Sequence, residues 1–184
     1  MATIREGDKK GLLVVDVQAG VMQYAWEPER IIRNINLVVD KARSRGVPII
    51  WVQHTDEDLV QGSPEWQLAS GLSPTDGEAR IEKRYNSSFE DTPLEEILSR
   101  LGVSHIVLTG AATNWCIRAT ACAALDRGYD LTLVSDAHTT ETMEFKDGVR
   151  IEASDIIREL NNALEWLSYP GRKNNTISAK NLDL

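Results

Sequence analysis

Residues 105–116 read His105-Ile106-Val107-Leu108-Thr109-Gly110-Ala111-Ala112-Thr113-Asn114-Trp115-Cys116, and Cys116 at its end is the most informative residue of the chain. A strand-like apolar run passes through small residues into a helix-like segment. A helix that begins there leaves free backbone N–H groups, and the positive end of its dipole, beside the first-turn side chain. We therefore expect the Cys116 thiol to be biased toward thiolate, its nucleophilic form. The alternative is a buried cysteine acting as a small hydrophobic side chain, a description that fits Cys122.

Strand-like and helix-like segments alternate along the whole chain. The run Gly11–Val17 is apolar at nearly every position, as expected for a strand buried on both faces. Further predicted strands cover 48–54, 80–83, 105–110 and 130–135. Predicted helices start near positions 28, 92, 116 and 152, and glycines at 46, 102 and 128 end the first three. This alternation predicts a three-layer, doubly wound α/β fold of Rossmann type, a mainly parallel sheet with helices on both faces.

Two segments show little periodicity. Residues 56–79 are punctuated by glycine and proline, which predicts a long loop, and loops of that length in compact domains are usually functional. From Tyr169 onward the chain is polar, and we expect an extended tail over 169–184 after a core at about 10–168. A length of 184 residues fits one domain over 1–184 that can bury a sizeable core.

Charge and composition narrow the classes of partner. The formal net charge is −8, which disfavours nucleic acid because that ligand selects basic surfaces. The longest apolar run, from Gly11 to Val15, is far too short to span a bilayer. The first six residues include no apolar stretch of signal-peptide length. We expect a cytoplasmic protein with a small-molecule substrate and neither a nucleic acid nor a membrane partner.

The two cysteines do not form a disulfide framework. On one continuous helix, Cys116 and Cys122 would be about 9 Å apart along the axis, beyond the usual reach of a disulfide. Both are expected to be reduced thiols, as a reducing compartment would keep them.

Four polar side chains are predicted at one edge of the sheet. Asp16 ends the first strand, His54 the second and Lys83 the third, and Cys116 follows the fourth. In parallel sheets the site lies outside the carboxyl ends of the strands. A buried carboxylate needs a partner, and Lys83 is a candidate cation. A carboxylate that takes the thiol proton and an ammonium that stabilises thiolate would form a nucleophile set. A turn-capping Asp16 and a solvated Lys83 are the alternatives.

Four ordered motifs resemble the isochorismatase-like cysteine hydrolase superfamily, which includes nicotinamidases, N-carbamoylsarcosine and ureidoacrylate amidohydrolases, and streptothricin hydrolases. The motifs are residues 13–18 around Asp16, Lys83 with Ser88-Phe89, residues 110–116 and residues 135–140. The resemblance covers about Gly11 to Leu167. It implies a catalytic triad of Asp16, Lys83 and Cys116. It also implies a cis peptide between Ala111 and Ala112 that directs the N–H groups of Ala112 and Cys116 into an oxyanion hole.

Two departures from the family pattern narrow the expected chemistry. Nicotinamidases carry an Asp-x-His pair and a later His as a metal site. Here the second strand ends His54-Thr55-Asp56, and the next His is His105. Two ligands make a poor metal site, so we expect no metal and no cofactor, and a hydrogen-bonding role for His54 in the pocket. Siderophore-pathway isochorismatases lack the nucleophilic cysteine that this chain has, which favours amide chemistry.

These observations predict a metal-independent amidohydrolase that cleaves a C–N bond in a small amide, ureido or carbamoyl compound through a Cys116 thioester. An isochorismatase-type vinyl-ether hydrolase and a non-catalytic binding or assembly protein are the alternatives. The resemblance also implies a homo-oligomer, a dimer or tetramer. Side chains expected to contact substrate are Gln18, Tyr24, Trp26, His54, Phe89 and Trp115; ordinary aromatic packing is the alternative for the aromatic ones. His105 and His138, the latter in a predicted turn at 135–140, receive no catalytic role.

Overall fold

One large parallel sheet organises the protein in a computed structural model that describes residues 5–184. The strands are β1 (Lys10–Val15), β2 (Ile49–His54), β3 (Ala79–Lys83), β4 (His105–Ala111), β5 (Asp130–Thr139), β6 (Met143–Glu144), β7 (Arg150–Ile151) and β8 (Asn174–Ile177). The sheet has six strands in the order β3-β2-β1-β4-β5-β8, and β6 and β7 form a separate antiparallel hairpin. The first four residues lie outside the described part.

Helices connect the parallel strands and cover both faces of the sheet. They are α1 (Ala19–Met22), α2 (Pro28–Arg45), α3 (Leu94–Arg100), α4 (Arg118–Asp126) and α5 (Ala153–Trp166), and a π-helical turn (Thr113–Ile117) precedes α4. The predicted three-layer, doubly wound architecture is confirmed. Within residues 5–184, no helix has both the length and the apolar character needed to cross a bilayer.

The alternating side chains of β1 enter two separate cores. Leu13 and Val15 pack into one core with residues of α3, α4 and α5. Leu12 and Val14 pack into the other core with residues of α1 and α2. Because successive side chains of a strand point to opposite faces, a strand covered on both sides must be apolar at every position. The uninterrupted apolar run is therefore explained by burial on both faces.

Strand β5 is longer than the sequence predicts. It continues through the expected turn at 135–140 and pairs with β4 as far as Thr139, opposite Ala111. The register shifts between Leu108 and Gly110, because Leu108 lies opposite Leu133 while Gly110 lies opposite His138. This irregularity accommodates the extra residues of β5. It also interrupts the two-residue alternation of side chains by which a strand is predicted. His138 is consequently a buried strand residue.

The expectation of an extended tail over 169–184 is wrong for most of that segment. Residues of β8 pair with β5 from Leu131 to Val134, which adds the sixth strand to the sheet. Beyond β8, Ala179 and Leu182 are buried in the core on the α2 side. The Lys41 ammonium donates to the carbonyls of Ala179, Lys180 and Leu182 at 2.8–2.9 Å. Main-chain pairing stabilises this strand, so its polar side chains gave no signal.

A close approach of two backbones sets the distance between β4 and β1. Gly110 has φ +125°, and a β-carbon placed there would lie 2.0 Å from the carbonyl oxygen of Val15. Any other residue would collide with backbone atoms that cannot move without breaking the sheet. Glycine at this position therefore allows the end of β4 to approach the residue that precedes Asp16.

Replacing Gly110 by alanine should therefore disrupt the centre of the sheet. We expect Gly110→Ala to lower the free energy of unfolding by about 3 kcal/mol or more, through steric overlap and an unfavourable φ. The matched control is Gly77→Ala, because Gly77 has φ +90° but no atom within 4 Å of the added carbon. That control should lose only about 1–2 kcal/mol. Urea unfolding of both variants measures the difference, and equal losses would contradict the steric explanation.

Candidate active site

The register of the sheet brings the predicted polar residues together at one edge. Val15, the last residue of β1, lies opposite Val52 on one side and Gly110 on the other. On the outer side of β2, His54 pairs with Lys83. The residue after β1, Asp16, and the turn after β4 therefore meet beside the ends of β2 and β3, at the carboxyl edge where sites of parallel sheets lie.

The ammonium of Lys83 is the centre of this cluster. Its Nζ atom lies 2.6 Å from Asp16 Oδ2, and 3.1 Å from both Cys116 Sγ and His54 Nδ1. It also donates to the carbonyl oxygen of Tyr85 at 3.1 Å. The side chain is fully buried, so these neighbours replace the water that an ammonium otherwise requires. The structure thus brings Asp16, Lys83 and Cys116 into contact, as the sequence predicts.

Asp16 is held in an uncommon backbone conformation that points the end of β1 toward this cluster. Its φ is +53°, in the left-handed region that aspartate tolerates better than most residues. Its N–H donates to the carbonyl oxygen of Val52 at 2.8 Å. Burial raises the pKa of its carboxyl, against the opposing effect of the Lys83 charge. A carboxylate with a raised pKa is a stronger base toward a nearby thiol.

The surroundings of the Cys116 thiol oppose the predicted bias toward thiolate. Burial and the negative charge of Asp16 raise its pKa to about 12, although Lys83 opposes the change. In addition, the thiol lies in the π-helical turn and not in the first turn of α4. Desolvation of the buried thiol is the largest effect on its pKa, and it outweighs the effects that favour thiolate. The resting state has a neutral thiol beside an ion pair.

The turn that holds Cys116 contains the cis peptide bond that the resemblance implied. The peptide bond between Ala111 and Ala112 is cis. The carbonyl oxygen of Ala112 accepts hydrogen bonds from the N–H groups of Trp115 and Ile117, both at 3.1 Å. These bonds fix the start of the helical turn, and with it the position of Cys116.

A cavity of about 590 Å³ opens beside this turn. It is lined by Gly20, Val21, Gln23, Tyr24, Ala25, Asp56, Asp58, Leu59, Glu65, Ala111, Ala112, Thr140 and Glu141. The two alanines of the cis bond belong to both the cavity wall and the turn that leads to Cys116. A molecule in this cavity would therefore lie next to the backbone that positions Cys116.

Two of the residues predicted to contact substrate, Gln18 and Phe89, are buried. The amide of Gln18 is fully buried, donates to the carbonyls of His54 and Trp66 and accepts the N–H of His54, at 2.8–3.0 Å. It holds α1, β2 and the long loop together. Phe89 is buried against Tyr129, with ring centroids 5.8 Å apart. Substrate contact by Gln18 or Phe89 stays a prediction, and each side chain already has partners within the fold.

The other predicted contacts have mixed outcomes. Tyr24 lines the cavity and is 68% exposed. His54 contacts Lys83, as described above, and not the cavity. Trp26 packs beneath the Arg30 guanidinium, and Trp115 is half exposed; neither lines the cavity. Both tryptophans lie near the carboxyl edge of the sheet, but position near that edge does not determine the direction of a side chain.

Several residues near the site gave no signal in the sequence. The Asn86 amide oxygen lies 3.9 Å from Cys116 Sγ. Asp58, Glu65 and Glu141 line the cavity. Asp58 and Glu65 belong to the loop at 56–79. Only the length of that loop indicates, from the sequence, that it has a functional role. Glu141 follows a strand whose end the sequence placed too early.

The position where a metal ion could bind is filled by the lysine ammonium. Ligand atoms of Asp16, His54 and Cys116 lie within 4.8 Å of one another, close enough to share a metal ion. All three side chains instead contact Lys83 Nζ. The second nitrogen of His54 pairs with Asp56 Oδ2 at 3.2 Å. Two cations cannot occupy one such cluster, so these residues do not fit a metal ion while Lys83 is charged.

Comparison with known proteins agrees with this geometry. The model of the Isochorismatase domain matches residues 10–153, more than half of the chain. The chain belongs to the isochorismatase family, a family of hydrolases. Similar members include streptothricin hydrolase from Streptomyces noursei, which is 31% identical over 166 residues, with 85% of this chain and 64% of that protein covered. Ureidoacrylate amidohydrolase RutB from Klebsiella pneumoniae is 30% identical over 156 residues, with 61% of this chain and 65% of that protein covered.

The chain therefore spans slightly less than two thirds of these two isochorismatase-family relatives. A solved structure similar to the whole chain is that of an isochorismatase from Pseudomonas putida KT2440. It superposes with a TM-score of 0.85 at 28% identity and covers 98% of this chain and 94% of that one. The agreement extends to residues beyond the matched domain and so includes most of the fold.

In this isochorismatase-family protein, a buried histidine contacts the turn that holds Cys116. His138 Nδ1 lies 2.9 Å from the Thr113 hydroxyl, and its Nε2 lies 3.1 Å from Asn161 Oδ1. The Asn161 amide nitrogen donates to the carbonyl of Ser135 at 3.0 Å, so Oδ1 is the acceptor for the histidine. His138 Nε2 therefore carries a proton, and in the neutral imidazole the Thr113 hydroxyl donates to Nδ1. Burial lowers the pKa of His138 to about 4.

This histidine should make the stability of the protein depend on pH. The unfolded histidine titrates near 6.5 and the folded one near 4, so the unfolded chain binds the proton more readily in between. The free energy of unfolding should therefore fall as the pH falls through this window, by about 3 kcal/mol from this group. His138→Gln keeps a hydrogen-bonding amide but cannot titrate. Urea unfolding between about pH 7 and pH 4 should show a shallower pH dependence in the variant, and parallel curves would contradict this assignment.

Proposed function

We propose that the protein is a metal-independent cysteine amidohydrolase that cleaves a C–N bond in a small amide, ureido or carbamoyl compound. The contact of Lys83 Nζ with both Asp16 and Cys116 is the observation that carries this proposal. It combines a base, a cation and a thiol beside a cavity that is large enough for a small molecule. The named relatives at about 30% identity, an amidohydrolase and a streptothricin hydrolase, support the same class.

The first step would be attack of Cys116 on the carbonyl carbon of the substrate. Because the resting thiol is neutral, Asp16 takes its proton as the S–C bond forms, and no thiolate accumulates beforehand. The raised pKa of Asp16 favours this transfer, and the Lys83 charge stabilises the negative charge as it passes from the carboxylate through the attacking sulfur toward the carbonyl oxygen. The carbonyl π electrons move to the oxygen, and the N–H groups of Ala112 and Cys116 would hold that oxyanion.

The second step would release nitrogen and leave an acyl-enzyme. The oxyanion collapses, the C–N bond breaks, and the carboxyl group of Asp16 returns the proton to the departing nitrogen. Ammonia or an amine leaves, and a thioester remains on Cys116. A water molecule then gives a proton to Asp16 and attacks the thioester, which releases a carboxylic acid and restores the thiol.

Vinyl-ether hydrolysis and a non-catalytic binding role are the competing functions. The first requires only a general acid, so it gives no reason to bury a thiol 3.1 Å from an ammonium. The second gives no reason to bury an Asp–Lys ion pair, which is costly unless it is used.

We also propose that the protein works in a reducing compartment such as the cytoplasm, since both cysteines are free thiols.

The proposed mechanism requires a covalent intermediate on Cys116. A panel of small amides, ureido and carbamoyl compounds is first screened by ammonia release. An active compound is then quenched within the first turnovers, and intact mass should reveal an adduct equal to the acyl part, which hydroxylamine removes. Asp16→Asn should prevent acylation, because the thiol proton then has no acceptor, and Cys116→Ser should lower turnover by at least about a hundredfold.

Cys122→Ser is the matched control and should remain fully active with an unchanged adduct. Dialysis against EDTA should leave the rate unchanged, and a loss that zinc or manganese restores would exclude the metal-independent mechanism. Turnover that persists in Cys116→Ser without any adduct would instead support vinyl-ether chemistry. A flat screen together with an unreactive thiol would support a binding role.

We also propose that copies of the chain associate through the β6–β7 hairpin. Phe145, Val149 and Ile151 expose 44%, 51% and 40% of their surface there. Asn114 contacts Met143 at 3.4 Å, which places the hairpin next to the nucleophile turn. Neighbouring exposed apolar side chains of this kind are typical of subunit interfaces.

Sedimentation of the purified protein should give a particle of two or four times the 20.5 kDa chain mass. Phe145→Arg should shift it toward the monomer, because a charge would be buried in the interface. Leu37→Arg alters an apolar residue of similar exposure on α2 and should have no effect. A monomer at micromolar concentration in the unmodified protein would refute the proposal.

A further inference from the structure

Carboxylates from two separate segments line the cavity beside the nucleophile turn. Asp56, Asp58 and Glu65 come from the long loop after β2, and Glu141 follows β5. Among the described residues that line this cavity, none is a lysine, arginine or histidine. The remaining lining side chains are mainly apolar or small, including Val21, Ala25 and Leu59.

Three of these carboxylates are available to a ligand. Asp56 is engaged, because it accepts the N–H groups of Asp58 and Leu59 and pairs with His54. The side-chain carboxylates of Asp58, Glu65 and Glu141, in contrast, accept no hydrogen bond and form no ion pair among residues 5–184, and all three residues are exposed to solvent. Uncompensated like charges around one cavity repel each other, and a bound cation would relieve that repulsion.

The backbone that carries two of these carboxylates is anchored close to the proposed chemistry. Glu141 follows Thr140, whose hydroxyl donates to Asn114 Oδ1 at 2.6 Å and whose carbonyl accepts the N–H of Trp26. Thr139, which precedes Thr140 and ends β5, lies opposite Ala111 of the cis peptide bond. On the other side, the carbonyl of Glu65 accepts the N–H of Gly20 at 2.9 Å.

We infer that this cavity selects a substrate that carries a positively charged amine or guanidinium group in addition to the scissile carbonyl. The inference rests on the proposed function, because it assumes that the carbonyl is placed at the Ala111–Ala112 turn. Apolar lining side chains accommodate the carbons between the two groups. Glu65, Glu141 and Asp58 hold the cation, and an anionic group in the same place would be repelled.

The first experiment measures charge preference without requiring turnover. In a Cys122→Ser background, which leaves one thiol, Cys116 is modified with methanethiosulfonate reagents that carry a trimethylammonium, a sulfonate or a methyl group. Each rate is divided by the rate of the same reagent with 2-mercaptoethanol. The cationic reagent should be favoured over the anionic one by about tenfold or more, and added salt should reduce that ratio.

Glu65→Gln and Glu141→Gln should each lower the cation-to-anion ratio by about threefold, because one charge is removed while the side-chain size is kept. Glu57→Gln is the matched control, since Glu57 is an exposed residue of the same loop that does not line the cavity. It should leave the ratio unchanged. Equal normalised rates for the three reagents, or a faster anionic reagent, would overturn the inference.

The second experiment compares turnover of two isosteric amides, 5-aminopentanamide and hexanamide, by ammonia release. The cationic amide should have the higher kcat/KM, through a lower KM, and Glu65→Gln should reduce the difference about threefold. If neither amide is hydrolysed but Cys116 still prefers the cationic reagent, amidase chemistry fails and the charge selection stands. A higher kcat/KM for hexanamide would refute the selection while supporting the proposed function.

Discussion

The buried ion pair of Asp16 and Lys83 is the interaction on which the rest of the site depends. The two charged atoms are 2.6 Å apart, and the side chains are 2% and 0% exposed. Removing one such ion from water costs several kcal/mol. If one partner were removed, the remaining buried charge would have no opposite charge to offset that cost. The pair is therefore tolerable only while the sheet register and the neighbouring acceptors hold both groups in place. Those acceptors, the His54 nitrogen and the Tyr85 carbonyl, lie on β2 and just after β3.

Much of the fold is predictable because each element carries its own side-chain signature. The apolar run of β1 reports burial on both faces, and α2 begins at a proline and ends before a glycine, as expected. The prediction fails for β8 and for the second half of β5. There, main-chain hydrogen bonds and a register shift determine the structure, and neither leaves a periodic pattern in the sequence.

The candidate site, like the fold, is predictable from the sequence only in part. The contact of Asp16, Lys83 and Cys116 follows from strand order, because parallel strands place their carboxyl ends together. The neutral state of the thiol does not follow, since its raised pKa depends on the summed burial of the tertiary structure. The structural role of Gln18 was likewise hidden, because its hydrogen-bonding partners are backbone groups of β2 and of the long loop.

The placement of β8 also has a consequence for colloidal behaviour. Strand β5 has ten residues, and without β8 it would present a long row of unpaired backbone groups to solution. Such an edge is a template for pairing with other chains and hence for aggregation. The outer strand is instead only four residues long and begins with two asparagines, and the opposite edge, β3, exposes Arg80 and Glu82. Short polar or charged edges discourage further strand addition, so the sheet ends in a form that resists fibril-like growth.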